Sequence, residues 1–273
     1  MRRPSWLLAY VACYVAFLYG PILLIPLFSF NAAPQASFPL RGFTTEWYRV
    51  LWSDGRFVEA LGNTMMVGLT AAGLATLIGT AAAYAEIGRP NRASAVVSAL
   101  LRLPILIPGV IIGIALLILV NLAGLGPSRG SIVLGHTVLA LPATIVVMRA
   151  SFAALPGNLA EAAMDLGARE WDTFHRIMLP LSLPAMVSSF TLAFLTSFDE
   201  FIVAFFLAGT QPTLPLFIWS QLRFPKSLPS VMALGSLILL ASVLLAAAAE
   251  LIRRRGAAHA AGRAAPAPLV PQT

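Results

Sequence analysis

The stretch LPGNLAEAAMDLGAREWDTFHRIMLP, residues 155–180, separates two long apolar runs and is patterned from end to end. Asn158 is placed to accept the amide proton at the third helical position while Glu161 reaches back to the Asn158 amide, an asparagine form of the capping box. A short helix therefore starts near Leu159. Leu159, Ala162, Ala163 and Leu166 recur at i, i+3, i+4 and i+7 and make one narrow apolar face. Gly167 stands where a left-handed residue would end that helix. Trp171, Phe174, His175 and Met178 share a face at the same spacing until Pro180 interrupts the pattern. The stretch reads as two short amphipathic helices joined at a glycine.

What surrounds it is membrane. Of 273 residues 59% are hydrophobic and 11% charged, whereas soluble domains carry about 25% charged residues. Apolar runs cover residues 6–30, 61–85, 103–122, 131–148, 183–207 and 231–252; a helix needs ~20 residues to cross ~30 Å of hydrocarbon. Barrel strands would alternate instead, so the expected fold is an all-α polytopic bundle of six spans. The first run is about twice the length of a signal-peptide core and reads as a retained span.

With an even number of spans both termini share a side. Placing them inside puts twelve basic residues there: Arg2, Arg3, Arg89, Arg92, Arg102, Arg149, Arg169, Arg176, Arg253, Arg254, Arg255 and Arg263. Six remain outside: Arg41, Arg49, Arg56, Arg129, Arg223 and Lys226. The positive-inside rule then sets both termini, and the loop 155–180, in the cytoplasm. The formal charge of +7 is thus a topology signal and gives no support for a nucleic-acid partner. Residues 1–255 form the expected transmembrane domain. Residues 256–273, rich in Ala, Pro and Gly, read as a disordered cytoplasmic tail.

Glu161-Ala162-Ala163, Gly167, Ile177, Leu179 and Pro180 fall at the spacing Glu-Ala-Ala, three residues, Gly, nine residues, Ile-x-Leu-Pro. At these positions the chain resembles the permease subunits of ATP-binding-cassette importers. Further stretches look like the second permease subunit of spermidine/putrescine importers: Tyr19-Gly20-Pro21, Gly42-Phe43-Thr44-Thr45-Glu46-Trp47-Tyr48, Ser197-Phe198-Asp199-Glu200 and Ile218-Trp219-Ser220. Related branches serving other small solutes share much of this pattern. The resemblance implies the type I importer permease fold, an inner-membrane location, and a loop that couples to cytoplasmic ATPase subunits, two of them. It also implies a second, different permease chain and an extracytoplasmic substrate-binding protein. ATP and Mg would belong to the ATPase, with no cofactor in this chain.

The remaining candidates are weighed on their residues. No Gly-x-x-x-x-Gly-Lys-Ser/Thr loop occurs, and His136, His175 and His259 lack metal spacing, so catalysis has no support. Gly124, Gly126 and Gly130 miss the dinucleotide spacing and read as a loop. Asp199 and Glu200 fall in the outer part of the fifth run, and Ser189, Ala193, Thr196 and Glu200 follow helical spacing. Such a stripe either lines a translocation path for a cationic solute or, through its acids, anchors and gates against a partner chain. Gly109 and Gly113 mark close helix packing. Pro104, Pro108, Pro21 and Pro26 are expected to bend or end helices. Trp47, Tyr48 and Trp52 suit an interfacial belt or a contact for the binding protein. The rival class is a proton-coupled secondary transporter using Asp199 or Glu200, which leaves the patterned loop unexplained.

Overall fold

The computed structural model describes residues 5–35, 37–88 and 91–263. The chain order is α1 (Ser5–Ser29), α2 (Glu46–Ser53), α3 (Gly55–Gly88), α4 (Arg92–Arg102), a 3-10 turn Leu103–Leu106, α5 (Gly109–Leu122) and α6 (Arg129–Ala154). Then follow α7 (Asn158–Asp165), α8 (Glu170–Thr173), a π turn Phe174–Met178, α9 (Leu179–Leu181), α10 (Leu183–Phe198), α11 (Ile202–Leu207), α12 (Leu214–Leu222) and α13 (Leu228–Arg263). The fold is all-α. Among the described residues four helices are long and apolar enough to cross a membrane, and up to six spans result when two bent pairs are each taken as one. The chain divides into two compact units, residues 1–53 with 221–273, and residues 54–220.

The break expected at Pro108 is present, and a second one interrupts the run 183–207, which was expected as a single helix. The run 103–122 is broken at Ile107-Pro108, with 116° between Arg92–Leu106 and Gly109–Leu122. Pro108 has no amide proton and pushes its predecessor out of the α region; Ile107 is accordingly extended. The run 183–207 is likewise two helices, parted at Asp199–Phe201. Pro21 and Pro26, by contrast, lie inside an unbroken α1. Each removes one donor, but leaving the helix in hydrocarbon would strand many more backbone groups. The second and fourth spans are longer than their apolar cores suggested, Gly55–Gly88 and Arg129–Ala154.

In the unit 54–220, α3, α6 and α10 pack closely because small residues meet. Ala72, Ala75, Ala140 and Ala193 form one buried cluster, with Phe190 and Phe194 against it. A β-carbon on Gly79 would lie 2.9 Å from the Thr144 β-carbon, so only glycine lets these backbones approach so far. Thr144 Oγ1 donates to the Ala75 carbonyl at 3.1 Å across that contact. Ser128 caps α6 through the Ser131 amide at 3.2 Å. Gly109 and Gly113 take the packing role: the first faces Ile202 and the second lies beneath the Phe206 ring. Asp54, just before the second span, receives the Arg56 side chain at 2.9 Å, which holds its carboxyl below the usual range.

In the unit formed by 1–53 and 221–273, α1 and α2 both pack on α13. Tyr48 Oη lies 2.7 Å from Ser29 Oγ and donates to Ser236 Oγ at 3.3 Å. Trp47 Nε1 donates to the Asn31 carbonyl at 2.7 Å. The polar tips of Trp47 and Tyr48 are thus bonded within their own unit, while Trp52 remains largely exposed. α13 continues to Arg263, so residues 256–263, expected within a disordered tail, are helical; alanine, the best helix former, extends the helix there. Residues 264–273 lie outside the described residues.

Candidate functional site: the loop between α6 and α10

The loop opens on a turn, with the Leu159 amide on the Pro156 carbonyl at 3.1 Å. The helix therefore starts one residue early. Gly157 is the cap, Asn158 is already helical, and no side chain caps the end, so the expected Asn158–Glu161 capping box is not formed. Glu161 sits exposed in the first turn, where its charge complements the helix dipole. Ala163 is buried, whereas Ala162 is exposed and Leu166 is 90% exposed. Most of the narrow apolar face is therefore left uncovered.

Gly167 has φ +87° and ends α7 as expected. Its amide meets the Met164 carbonyl at 2.9 Å and the Ala168 amide meets that of Ala163 at 3.0 Å, the two bonds of a Schellman motif. Those bonds fix the angle at which the chain leaves α7. A side chain at this φ costs about 1–2 kcal/mol.

The second half is not the regular helix that Trp171, Phe174, His175 and Met178 suggested. After α8 the backbone widens into the π turn Phe174–Met178, where the Leu179 amide bonds the Phe174 carbonyl. Pro180 explains the widening: its ring would press on the carbonyl four residues back, and the missing amide leaves an acceptor idle. The wider turn buries Met178 with Ala83, Met148 and Phe152, and Phe174 packs on that cluster. Ile177 and Leu179 are half-buried and Pro180 is exposed. The chain then bends 70° between Glu170–Leu181 and Leu183–Phe198.

The acidic pair lies elsewhere. Asp199 is the exposed C-cap of α10, and Glu200 accepts the Val203 amide at 2.9 Å, closing the first turn of α11. Both occupy the break between the two helices, which corrects their placement within one continuous fifth helix. Nor is there a single polar stripe. Ser189 and Ala193 are fully buried against neighbouring helices, and Thr196 donates to its own Leu192 carbonyl at 2.9 Å.

Two groups escaped the sequence reading. Glu86, at the end of α3, receives Ser98 Oγ at 2.5 Å from α4, Arg102 at 3.4 Å and Arg149 of α6 at 3.1 Å. One carboxylate thereby ties three helices together. His136 is buried, with Nδ1 2.7 Å from Ser197 Oγ. An acid at the end of one apolar run and a histidine inside another were the available signals, but their partners are 12 to 63 residues away. Among the described residues no cluster of three or more His, Cys, Asp or Glu could hold a metal.

With this geometry in view, likeness to known proteins becomes informative. Residues 75–256 match the family described as binding-protein-dependent transport system inner membrane component. The spermidine/putrescine transport system permease protein PotC of Escherichia coli is 31% identical over 90% of this chain and 92% of its own length. The putrescine transport system permease protein PotI of the same organism is 34% identical over 87% and 86%. The fold recurs in a bacterial ABC transporter involved in alginate import, at TM-score 0.68 and 17% identity, covering 90% of this chain and 93% of that one. A chain of the MetNI methionine ABC transporter matches at TM-score 0.56 and 17% identity, over 77% and 99%. Relatedness along the whole membrane domain, rather than at one motif, excludes the proton-coupled rival. The protein is a multi-pass inner-membrane permease subunit of an ABC importer and belongs to the binding-protein-dependent transport system inner membrane component family.

Proposed function

We propose that this chain is one of two different permease subunits of a polyamine importer, carrying spermidine, putrescine or both. The observation that carries the solute is the likeness to PotC and PotI along some nine-tenths of the chain. The exposed Asp199 beside Glu200 agrees with a cationic cargo, since carboxylates at a path wall favour cations and raise their local concentration. In this reading a substrate-binding protein delivers solute outside, and two ATPase subunits, holding ATP and Mg, dock on the loop 155–180. Both termini lie in the cytoplasm, as twelve basic residues against six favour.

Glu161, Ala162, Ala163 and Gly167 form the docking half, with the uncovered Leu166 beside them, and Ile177, Leu179 and Pro180 join it to α10. Closure of the ATPase pair displaces the loop and shifts the bundle between inward-open and outward-open states, which requires two states that both sites bias. The test is uptake of radiolabelled putrescine and spermidine in cells with and without this chain. Loss of both on deletion, restored by the wild type and not by Gly167→Pro or Glu161→Lys at equal membrane level, is expected. Unchanged polyamine uptake after deletion, with loss of another solute, sinks the polyamine reading. For the path, Asp199→Asn with Glu200→Gln should raise the polyamine KM while assembly persists; unaltered kinetics would remove both residues from it.

A further inference from the structure

Arg149 is the first residue after the apolar run 131–148 and lies near the end of α6, just before the loop begins at Leu155. It belongs to a charge imbalance. The Glu86 carboxylate is approached by Arg102 at 3.4 Å and by Arg149 at 3.1 Å, with Ser98 Oγ donating to it at 2.5 Å. Two guanidinium groups thus share one carboxylate, and one positive charge is left over. The Arg102 side chain is 28% exposed and that of Arg149 50%, so the surplus is accessible at Arg149. Its ion pair is made at Nε, and a guanidinium carries more N–H donors, in a planar fork, than that contact uses.

Beside it lies a hollow of about 430 Å³, lined by Ile87 of α3 and by Val146, Arg149, Ala150 and Ala153 of α6. The four α6 residues recur at i, i+3, i+4 and i+7 and all are exposed, forming a strip about 10 Å long at ~1.5 Å per residue. Val146 stands on the hydrocarbon side of Arg149. Ala150 and Ala153 stand on the loop side, and their small side chains leave room beside the guanidinium.

The chemistry of these walls selects the ligand. Metal ions and organic cations are repelled by the surplus charge. A free phosphate would use the guanidinium and leave the wall of Ile87 and Val146 bare. An acidic peptide would bring backbone polar groups against aliphatic side chains that offer them no hydrogen bond. An anionic phospholipid uses every part: its phosphate takes the guanidinium fork, its net charge balances two arginines against one carboxylate, and its acyl chain starts along Ile87 and Val146. A zwitterionic lipid brings the same phosphate, but its ammonium finds Glu86 already occupied by Ser98, Arg102 and Arg149.

We infer that the hollow between Ile87 and Arg149 is a binding site for one anionic phospholipid, at the membrane face from which the loop 155–180 projects. The bound phosphate supplies the second negative charge of the group formed by Glu86, Arg102 and Arg149, and so holds α3, α4 and α6 together where α6 hands over to the loop. The site does not depend on which solute the importer carries.

The full importer, purified with its partner subunits in detergent, is titrated with phosphatidylglycerol and separately with phosphatidylcholine of the same chain length, and bound lipid is counted by native mass spectrometry. Lipids bound elsewhere contribute equally to wild type and variants, so the difference between them isolates this site. The wild type is expected to hold phosphatidylglycerol about tenfold more tightly than phosphatidylcholine, and Arg149→Gln to lose that preference. Val146→Trp fills the hydrocarbon end of the hollow from an exposed position outside the ion pair, and should lower phosphatidylglycerol occupancy as well. Equal affinity for the two lipids, or a preference that survives Arg149→Gln, overturns the site. Should Arg149→Gln fail to assemble, Val146→Trp decides, and undiminished occupancy in it overturns the site. A preference abolished by sodium phosphate but not by sodium chloride of equal ionic strength, with Val146→Trp unchanged, marks a free-phosphate site and overturns the lipid. Loss of a partner subunit from Arg149→Gln with its lipid count unaltered marks a protein contact and overturns it too.

Discussion

The two halves of the loop between α6 and α10 have similar amphipathic sequences and opposite fates. The half that ends at Gly167 is a regular helix of about two turns whose Leu166 is 90% exposed. The half that leads to Pro180 is distorted into a π turn, and its Met178 is 8% exposed. Regular geometry goes with an uncovered face and irregular geometry with a covered one. The reason is mechanical: the second half is held by Phe174 and Met178 against α3 and by the bend into α10, and must widen to place its side chains. The first half is constrained only by its own Schellman bonds and keeps its helical ideal.

This contrast can be broken most forcefully from the covered side. Met178→Ala should cost roughly 2–3 kcal/mol through the cavity it leaves, lowering the thermal unfolding midpoint of the purified chain; an unchanged midpoint would mean that the second half does not pack. Gly167→Ala should cost about 1–2 kcal/mol of local strain, reducing transport more than the global midpoint because α7 is scarcely packed. Equal losses in both readouts would erase the difference between the halves. Pro180→Ala restores an amide and should let the π turn relax toward α; a shift of roughly 0.5–1 kcal/mol is checked by hydrogen exchange at residues 174–179. The smallest stability effect belongs to Leu166→Ser, within about 0.5 kcal/mol. That variant should nonetheless release the ATPase during purification, and full copurification would show that the exposed face is not the docked one.

The sequence made the first half readable because its signals are local. A glycine after an apolar period of four residues specifies a left-handed stop, and Gly167 provides one. The capping box failed for an equally local reason overlooked in the pattern, the Pro156-Gly157 pair that starts the helix a residue early. The π turn was hidden because Pro180 acts backward on the preceding turn. The break at Asp199–Phe201 contains neither proline nor glycine; it exists because α11 packs on Gly109 and Gly113 of α5, ninety residues back. The two carboxylates there were the visible mark, and one of them, Glu200, caps the next helix. The Glu86 hub is tertiary in the same sense: Glu86 looks like the ordinary polar end of a span until α4 and α6 arrive.

The close packing at Gly79 has a further consequence. α3 is 34 residues long, about 51 Å at ~1.5 Å per residue, and at Gly79 its backbone lies directly against Thr144 of α6. A pair of rods so tightly apposed tilts rather than flexes. Over that length a rotation of about 5° carries one tip about 4 Å relative to the other, roughly the diameter of an extended hydrocarbon chain. Leverage of this kind means that a push of ångström size at the loop is sufficient to decide, at the opposite face, whether a slender solute passes.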